Sequence, residues 1–191
     1  MESVGFKEWA LVCEAIGRGE QAVIVRKGGI HEGRAGFSFK HAEFFLFPTF
    51  FHEQLERVRG SAREIRERRE GKIAIRYFAK LEFSGVVTSR ETAEALEPFH
   101  ILTRDVVRER FEYEDAPGIH VAFVRAFRLS QPWIIPDRPA YGGCRSWVKL
   151  PDVPEGVALE PVLTDAEHSA KSEAMRAIVQ PSTPVPGRPG C

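Results

Sequence analysis

Residues 72–88 read KIAIRYFAKLEFSGVVT, and this stretch decides the fold class. Ile73, Ile75, Tyr77, Ala79, Leu81 and Phe83 alternate with Lys72, Arg76, Lys80 and Glu82. Such period-two alternation is the signature of a strand with one face on a core and the other toward water. A strand of this length is expected to bend or break near Gly85.

Working outward, EFFLFP at 43–48 reads as a second strand, with Pro48 expected to end its pairing. QAVIVR at 21–26 reads as a short buried strand. IHVAFVRAFRL at 119–129 is apolar on both faces, as a central strand must be. PWIIP and CRSWVKL (144–150) give two more strands, joined by DRPAYGG. Helical spacing appears at 5–17, where Phe6, Trp9, Ala10, Cys13 and Ile16 recur at three- and four-residue intervals before Gly17 and Gly19. Residues 53–71 carry the stripe Leu55, Val58, Ala62, Ile65 and the pairs Glu53–Arg57 and Glu64–Arg68. Seven cations over 53–72 suggest a nucleic-acid arm, but five interleaved glutamates favour a solvated helix face laced with ion pairs. Residues 90–113 read as two short helices broken around Pro98, the second capped by Thr103.

At least five non-locally paired strands with helices around them predict an α+β fold: a small curled mixed sheet or β-barrel flanked by helices. The division expected is one α+β domain over 1–150, a C-terminal helical extension over 151–180 and a flexible tail over 181–191. Residues 151–191 hold seven of the thirteen prolines, and Thr164 with Glu167 forms a capping box that opens a helix running to about Ile178. PSTPVPGRPGC lacks the apolar surface to order itself.

The bulk properties exclude several classes. No apolar run approaches the ~20 residues of a membrane helix. The first residues, MESVGFKEWALVCEAIGRGE, lack the cationic start and apolar core of a signal peptide, so a cytoplasmic location is expected. Cys13, Cys144 and Cys191 are odd in number and far apart, which suggests neither a disulfide framework nor a structural zinc site. Cys13 lies on the apolar stripe and reads as a buried small hydrophobe. Net charge is zero, yet residues 1–150 hold 24 Lys and Arg against 21 Asp and Glu, while 151–191 hold 3 against 6. Affinity for a polyanion would have to come from a local patch. The split raises the conjecture that the acidic segment covers a basic one.

The chemical candidates are few. In RKGGIHE (26–32), Arg26 and Lys27 could hold a phosphate against the backbone N–H groups of Gly28 and Gly29; the alternative is a strand-end turn. The glycine order fits neither a Walker loop nor GxGxxG. His31 with Glu32 and His52 with Glu53, together with His41 and Glu43, could gather a metal, although no compact ligand motif such as HExxH is present, so no cofactor is expected. Cys144, between Gly143 and Arg145, is a weak nucleophile candidate against the reading of a buried strand cysteine. In YGGCRSWVKL, alternation sets Arg145, Trp147 and Lys149 apart from Cys144, Ser146 and Val148. Two cations with a large aromatic suit a base and its backbone, unless Trp147 packs against the C-terminal helix. Tyr141 could stack in the same way, and Arg76 and Lys80 could extend the patch.

The motifs FKEW…L..GEQ..I.RKGGI.E, F..FPTFFHEQ and YGGCRSWV.L resemble an uncharacterised bacterial family, a domain of unknown function, over most of residues 5–150. Some members are associated with restriction-type nuclease domains, which implies a restriction-modification or defence setting and a nuclease partner protein. GEQAVIVR also resembles the Gly-x-Lys-Thr-x-Glu-x-Arg strand of the ASCH group, which with EVE belongs to the PUA-like barrels that bind RNA or modified bases. Gly19 and Arg26 fit that pattern, whereas Gln21 and Ile24 stand where Lys and Glu are needed for the amidohydrolase activity known in some members. The resemblance therefore implies a non-catalytic nucleic-acid-binding module that senses a modified base. In it Arg26, Lys27, Arg76, Arg145 and Lys149 face phosphate, and Tyr141 and Trp147 stack. The alternative is a metal-assisted enzyme acting on nucleic acid or nucleotides through His31, Glu32, His52 and Glu53.

Overall fold

The computed structural model describes residues 1–27, 38–60, 70–113, 117–143 and 145–179. The chain runs β1 (Val4–Trp9), α1 (Ala10–Gly17), β2 (Val23–Arg26), β3 (Glu43–Thr49), β4 (Lys72–Val87), α2 (Arg90–Ala95), α3 (Arg104–Phe111), β5 (Ile119–Pro136), β6 (Trp147–Lys149), β7 (Leu159–Pro161) and α4 (Asp165–Val179). The strands form one curled mixed sheet in the order β2-β5-β4-β3-β1-β6, with β7 also against β5. Among the described residues only β1 and β3 pair in parallel; the other ladders are antiparallel. With helices around this sheet, the fold is α+β, as expected. None of the described helices is long and apolar enough to cross a membrane.

The stretch 72–88 is indeed a strand, but its pairing is less regular than its sequence. β4 follows β5 from Lys72↔Pro136 to Val87↔Ile119, with irregularities between Ile75 and Tyr77 and between Leu81 and Phe83. Gly85 stays paired with Val121, so the bend falls at those two places and not at the glycine. Irregularities of this kind raise the local twist and curl a sheet. They also change the phase of the alternation. Ile73, Ile75 and Phe78 enter one core with Phe45, Trp133 and Tyr141, whereas Tyr77 and Ala79 enter the other with Phe6, Phe44 and Phe123. The single apolar face expected for β4 is thus divided between two cores. Phe6, Phe44, Phe45, Phe78 and Phe123 are fully buried, and each removes enough apolar surface from water to contribute roughly 2–3 kcal/mol.

Four expectations are corrected. The helix read over 5–17 begins only at Ala10, because Val4–Trp9 is a strand between β3 and β6. Buried on both faces, β1 has no alternation to reveal it, and its Phe6–Trp9 spacing imitates a helix. Its apolar neighbour Cys13 is buried as expected, and burial pushes the thiol well up. The amphipathic helix read over 53–71 is, in its described part, a 3-10 turn at His52–Leu55 followed by a bridge from Val58 to Leu102; residues 61–69 lie outside the described residues. PWIIP is no separate strand but the end of β5. Pro48 does not end the pairing of β3: the ladder with β4 already stops at Phe45, and Pro48 remains in register with Glu8 of β1.

Other local signals hold. Thr103 Oγ1 accepts from Val106 N at 3.4 Å and caps α3. Thr164 and Glu167 form the expected box, each side chain accepting from the other's backbone N–H at 3.3 and 2.9 Å. α4 lies on the sheet with Met175 fully buried, His168 2.5 Å from Glu82 and Asp165 paired with Arg125. The expected tail at 181–191 lies outside the described residues.

Arg59 ties the helical side of the molecule together by donating to Glu97 O, His100 O and Leu102 O at 2.6, 2.7 and 3.0 Å. His100 is buried among these groups, and both its ring nitrogens lack a hydrogen-bond partner among the described residues. Burial first, then Arg59 and Arg110, brings its pKa down to about 4, with Glu97 opposing.

Two outcomes follow from these contacts. Gly17 is buried against Tyr77, and a Cβ there would fall inside the ring's van der Waals surface; Gly17→Ala should destabilise by roughly 1–3 kcal/mol in urea unfolding. The unfolded chain protonates His100 near its ordinary value, whereas the folded chain keeps it neutral to about 4. Stability should therefore fall as pH drops from about 6.5 toward 4, and His100→Phe should remove part of that slope in unfolding curves measured across this range.

Candidate functional site

The curl brings the two edges of the sheet together. Arg26, the last residue of β2, donates from Nη2 to Ser146 Oγ at 2.9 Å, just before β6 at the opposite edge. Its guanidinium lies 5.3 Å from the centre of the Phe6 ring on β1. Two cation-bearing segments that are remote in sequence, RK at 26–27 and RSWVK at 145–149, thereby meet at Arg26 and Ser146.

The end of β1 supplies the centre of a rim. Arg110 reaches across from α3, donates to Val25 O and places its guanidinium 4.6 Å from the Trp9 ring centre. Arg57 stands 5.7 Å from the same ring and pairs with Glu109, while Phe51 meets the ring edge-on at 5.0 Å. The Lys27 ammonium lies over the ring of Tyr113. Beneath them Glu8 is buried, its Oε1 accepting from Trp9 N at 2.8 Å. Burial, with Glu8 and Glu109 opposing and Arg26 and Arg57 adding to it, brings the Arg110 pKa down to about 10. Arg110 thus remains a cation at neutral pH. Each guanidinium–aromatic contact is worth roughly 0.5–2 kcal/mol, which helps to hold like charges in one place. Among the described residues, Arg26, Lys27, Arg57 and Arg110 there face two carboxylates, Glu8 and Glu109, so these groups together favour an anion.

The other candidate residues are spread more widely. Arg76 lies 4.0 Å from Glu14 on α1, and Lys80 pairs with Glu43 at 2.9 Å. Tyr141 is buried edge-on against Phe47 at 5.3 Å. Trp147 is half-buried and packs against His41, Phe6 and Phe44 at 4.7, 4.8 and 5.2 Å, not against α4. The alternation read there is real: Ser146 and Val148 are buried, whereas Arg145 and Lys149 are exposed and form no ion pair among the described residues. Gly28, Gly29, His31, Glu32 and Cys144 lie outside the described residues, as does the side chain of His52; Glu53 is exposed. No group of three His, Cys, Asp or Glu side chains is placed to hold a metal among the described residues.

The two positions that depart from the ASCH pattern have structural roles. Gln21 donates to Val23 O at 2.7 Å and accepts from Ile101 N at 3.0 Å, and Ile24 is fully buried. Trp9, Arg57, Arg110 and Tyr113 were not among the candidates, because Trp9 read as helical core and both arginines sat in mixed charge runs.

Comparison with known proteins places the chain. The family model described as Domain of unknown function (DUF1802) matches residues 5–174, and the chain belongs to this family. No curated protein matches it. Similar solved structures are crystal structures of the ASCH protein from Zymomonas mobilis. A serine-to-alanine variant shares 16% identity at TM-score 0.47, covering 90% of this chain and 94% of that one. A tyrosine-to-phenylalanine variant shares 15% at 0.46, covering 91% and 98%. The ASCH protein itself shares 16% at 0.43, covering 89% and 93%. The same two groups, a domain of unknown function and ASCH, are those the sequence motifs resemble.

The coupling of Glu8 to Arg110 can be measured. Arg110→Met leaves the buried Glu8 carboxylate with less compensating charge and should destabilise by about 2–3 kcal/mol. Adding Glu8→Gln should recover much of that loss in a double-mutant cycle followed by urea unfolding; additive losses would contradict the coupling.

Proposed function

We propose that this member of the domain-of-unknown-function family is a non-catalytic nucleic-acid-binding module whose contact surface is the rim around Trp9. The observation that carries the reading is the convergence of Arg26, Arg57 and Arg110 on one place, close enough for the first two to depress the third. A protein with no net charge that crowds cations around aromatic rings is arranged to meet a polyanion locally. Arg26, Lys27, Arg57 and Arg110 contact phosphates, and the exposed Arg145 and Lys149 extend the track. Trp9 and Tyr113 offer aromatic surface to bases, with Trp147 at the border. Arg76 and Lys80, each beside a carboxylate, contribute less, and Tyr141, buried against Phe47 in the other core, is not offered to a ligand on this rim. Gly28 and Gly29, next to Lys27 in the sequence, are proposed as further contacts through their backbone N–H groups. The resemblances add modified-base sensing, a restriction setting and a nuclease partner to this reading, and the proposed location is the cytoplasm.

Fluorescence anisotropy with short single- and double-stranded DNA and RNA, with and without base modification, tests it. Binding to one class should weaken steeply with salt, and Arg57→Gln with Lys27→Gln should reduce affinity at least tenfold while lowering the slope of log affinity against log salt by about two. Binding indifferent to salt, or unchanged in that double variant, would refute the proposal.

A further inference from the structure

An open cleft of about 620 Å³ borders the rim, lined by the end of β3 and by the turn after β5. Thr49, in its lining, stands in register with Trp9 across the β1–β3 ladder. Phe50, also in the lining, precedes the Phe51 that meets the Trp9 ring. The cleft therefore begins where the aromatic centre of the rim ends. At the ~30 Å³ that a water occupies in the liquid, its volume suits on the order of twenty non-hydrogen atoms, the size of one nucleotide.

The polar groups of the cleft are of one kind. Lys7 is 8% exposed, and its Nζ donates to Gly142 O and Gly143 O at 3.1 and 3.0 Å. A cation so placed is screened far less by salt than one on the surface. Arg138 is exposed and forms no ion pair among the described residues. Against these two cations the described lining holds one carboxylate, Asp137. Tyr141 supplies a separate observation. Its ring is buried against Phe47, yet its hydroxyl makes no hydrogen bond among the described residues and is not sealed from solvent. A hydroxyl fixed by a buried ring is a donor held in place for an acceptor that enters the cleft.

We propose that this cleft takes the phosphorylated end of the strand that lies on the rim, an inference that rests on the nucleic-acid reading of the rim. Arg138 and the Tyr141 hydroxyl contact the terminal phosphate, the charge of Lys7 favours it, and Phe50 and Pro139 flank the last sugar and base. A terminal phosphomonoester carries about −1.5 to −2 charges at neutral pH and presents three unbridged oxygens. An internal phosphodiester carries a single charge, and its chain continues on both sides. A recess of one-nucleotide volume with excess positive charge and a fixed hydroxyl donor therefore suits the end of a strand better than its middle.

The test uses the full chain and short single strands of one sequence, as DNA and as RNA, with a dye on an internal base. Each is made with a 5′-phosphate, with a 3′-phosphate, or with hydroxyls at both ends, which tells the two phosphorylated ends apart. One phosphorylated end should bind at least about fivefold more tightly than the hydroxyl-ended strand, and the ³¹P signal of that phosphate should shift on binding. Arg138→Gln and Tyr141→Phe, each confirmed as folded by circular dichroism, should reduce this advantage and leave the affinity of the hydroxyl-ended strand unchanged. Arg57→Gln with Lys27→Gln should instead weaken all the strands alike. Hydroxyl-ended strands that bind as tightly as both phosphorylated ones would overturn the inference and leave the rim standing. So would an advantage that survives both substitutions in the cleft. Failure of every strand to bind would overturn the rim reading, and this inference with it.

Discussion

The pairing of β4 with β5 is the constraint from which the rest of the molecule follows. These are the two longest strands, and they remain paired from Lys72↔Pro136 to Val87↔Ile119. Each serves two cores because the alternation changes phase along its length. The free side of β5 is divided between β2, at its start, and β7, near Arg128. A flat sheet of this order would hold β2 and β6 at opposite ends. The two irregularities in the ladder supply extra twist, and the edges approach closely enough for Arg26 to reach Ser146. The rim thus follows from the pairing geometry and is not a property of any single loop.

Much of the fold was legible because it rests on local signals. β4, β3, β2 and the first half of β5 showed as alternation or apolar runs, and Thr103 and the Thr164–Glu167 box showed as caps. β1 was not legible for a physical reason. A strand buried on both faces carries no period, and Phe6 and Trp9 fall three residues apart by accident of sequence. The 53–60 region misled in the opposite sense: its helical stripe and Glu53–Arg57 spacing were present, but Arg57 pairs with Glu109 and Arg59 with backbone carbonyls. Long-range partners outweighed the weak i,i+4 preference, worth only a few tenths of a kcal/mol.

The same reasoning explains why the proposed rim was only half visible in the sequence. Arg26, Lys27 and the 145–149 strand announce themselves as cations beside glycines or aromatics. Arg57 and Arg110 lie in sequences dense with both signs, where nothing local distinguishes a cation that reaches Trp9 from one facing water. Tyr141 had the right chemistry but the wrong depth. The acidic segment after Leu150 uses its described residues on β4 and β5, where Met175 is buried and Asp165 meets Arg125. Asp165 offsets Arg125 there, and the helix forms a docked layer on these strands.

The central claim is that one rim gathers the cations that matter for binding. The most direct measurement is the arginine Nε–H NMR spectrum during titration with a short single-stranded oligonucleotide. The account predicts that Arg26, Arg57 and Arg110 shift together and saturate at one stoichiometry, while Arg76 and Arg125, beside Glu14 and Asp165, stay in place. Shifts confined to Arg76 and Arg125, with the three rim arginines unmoved, would contradict it.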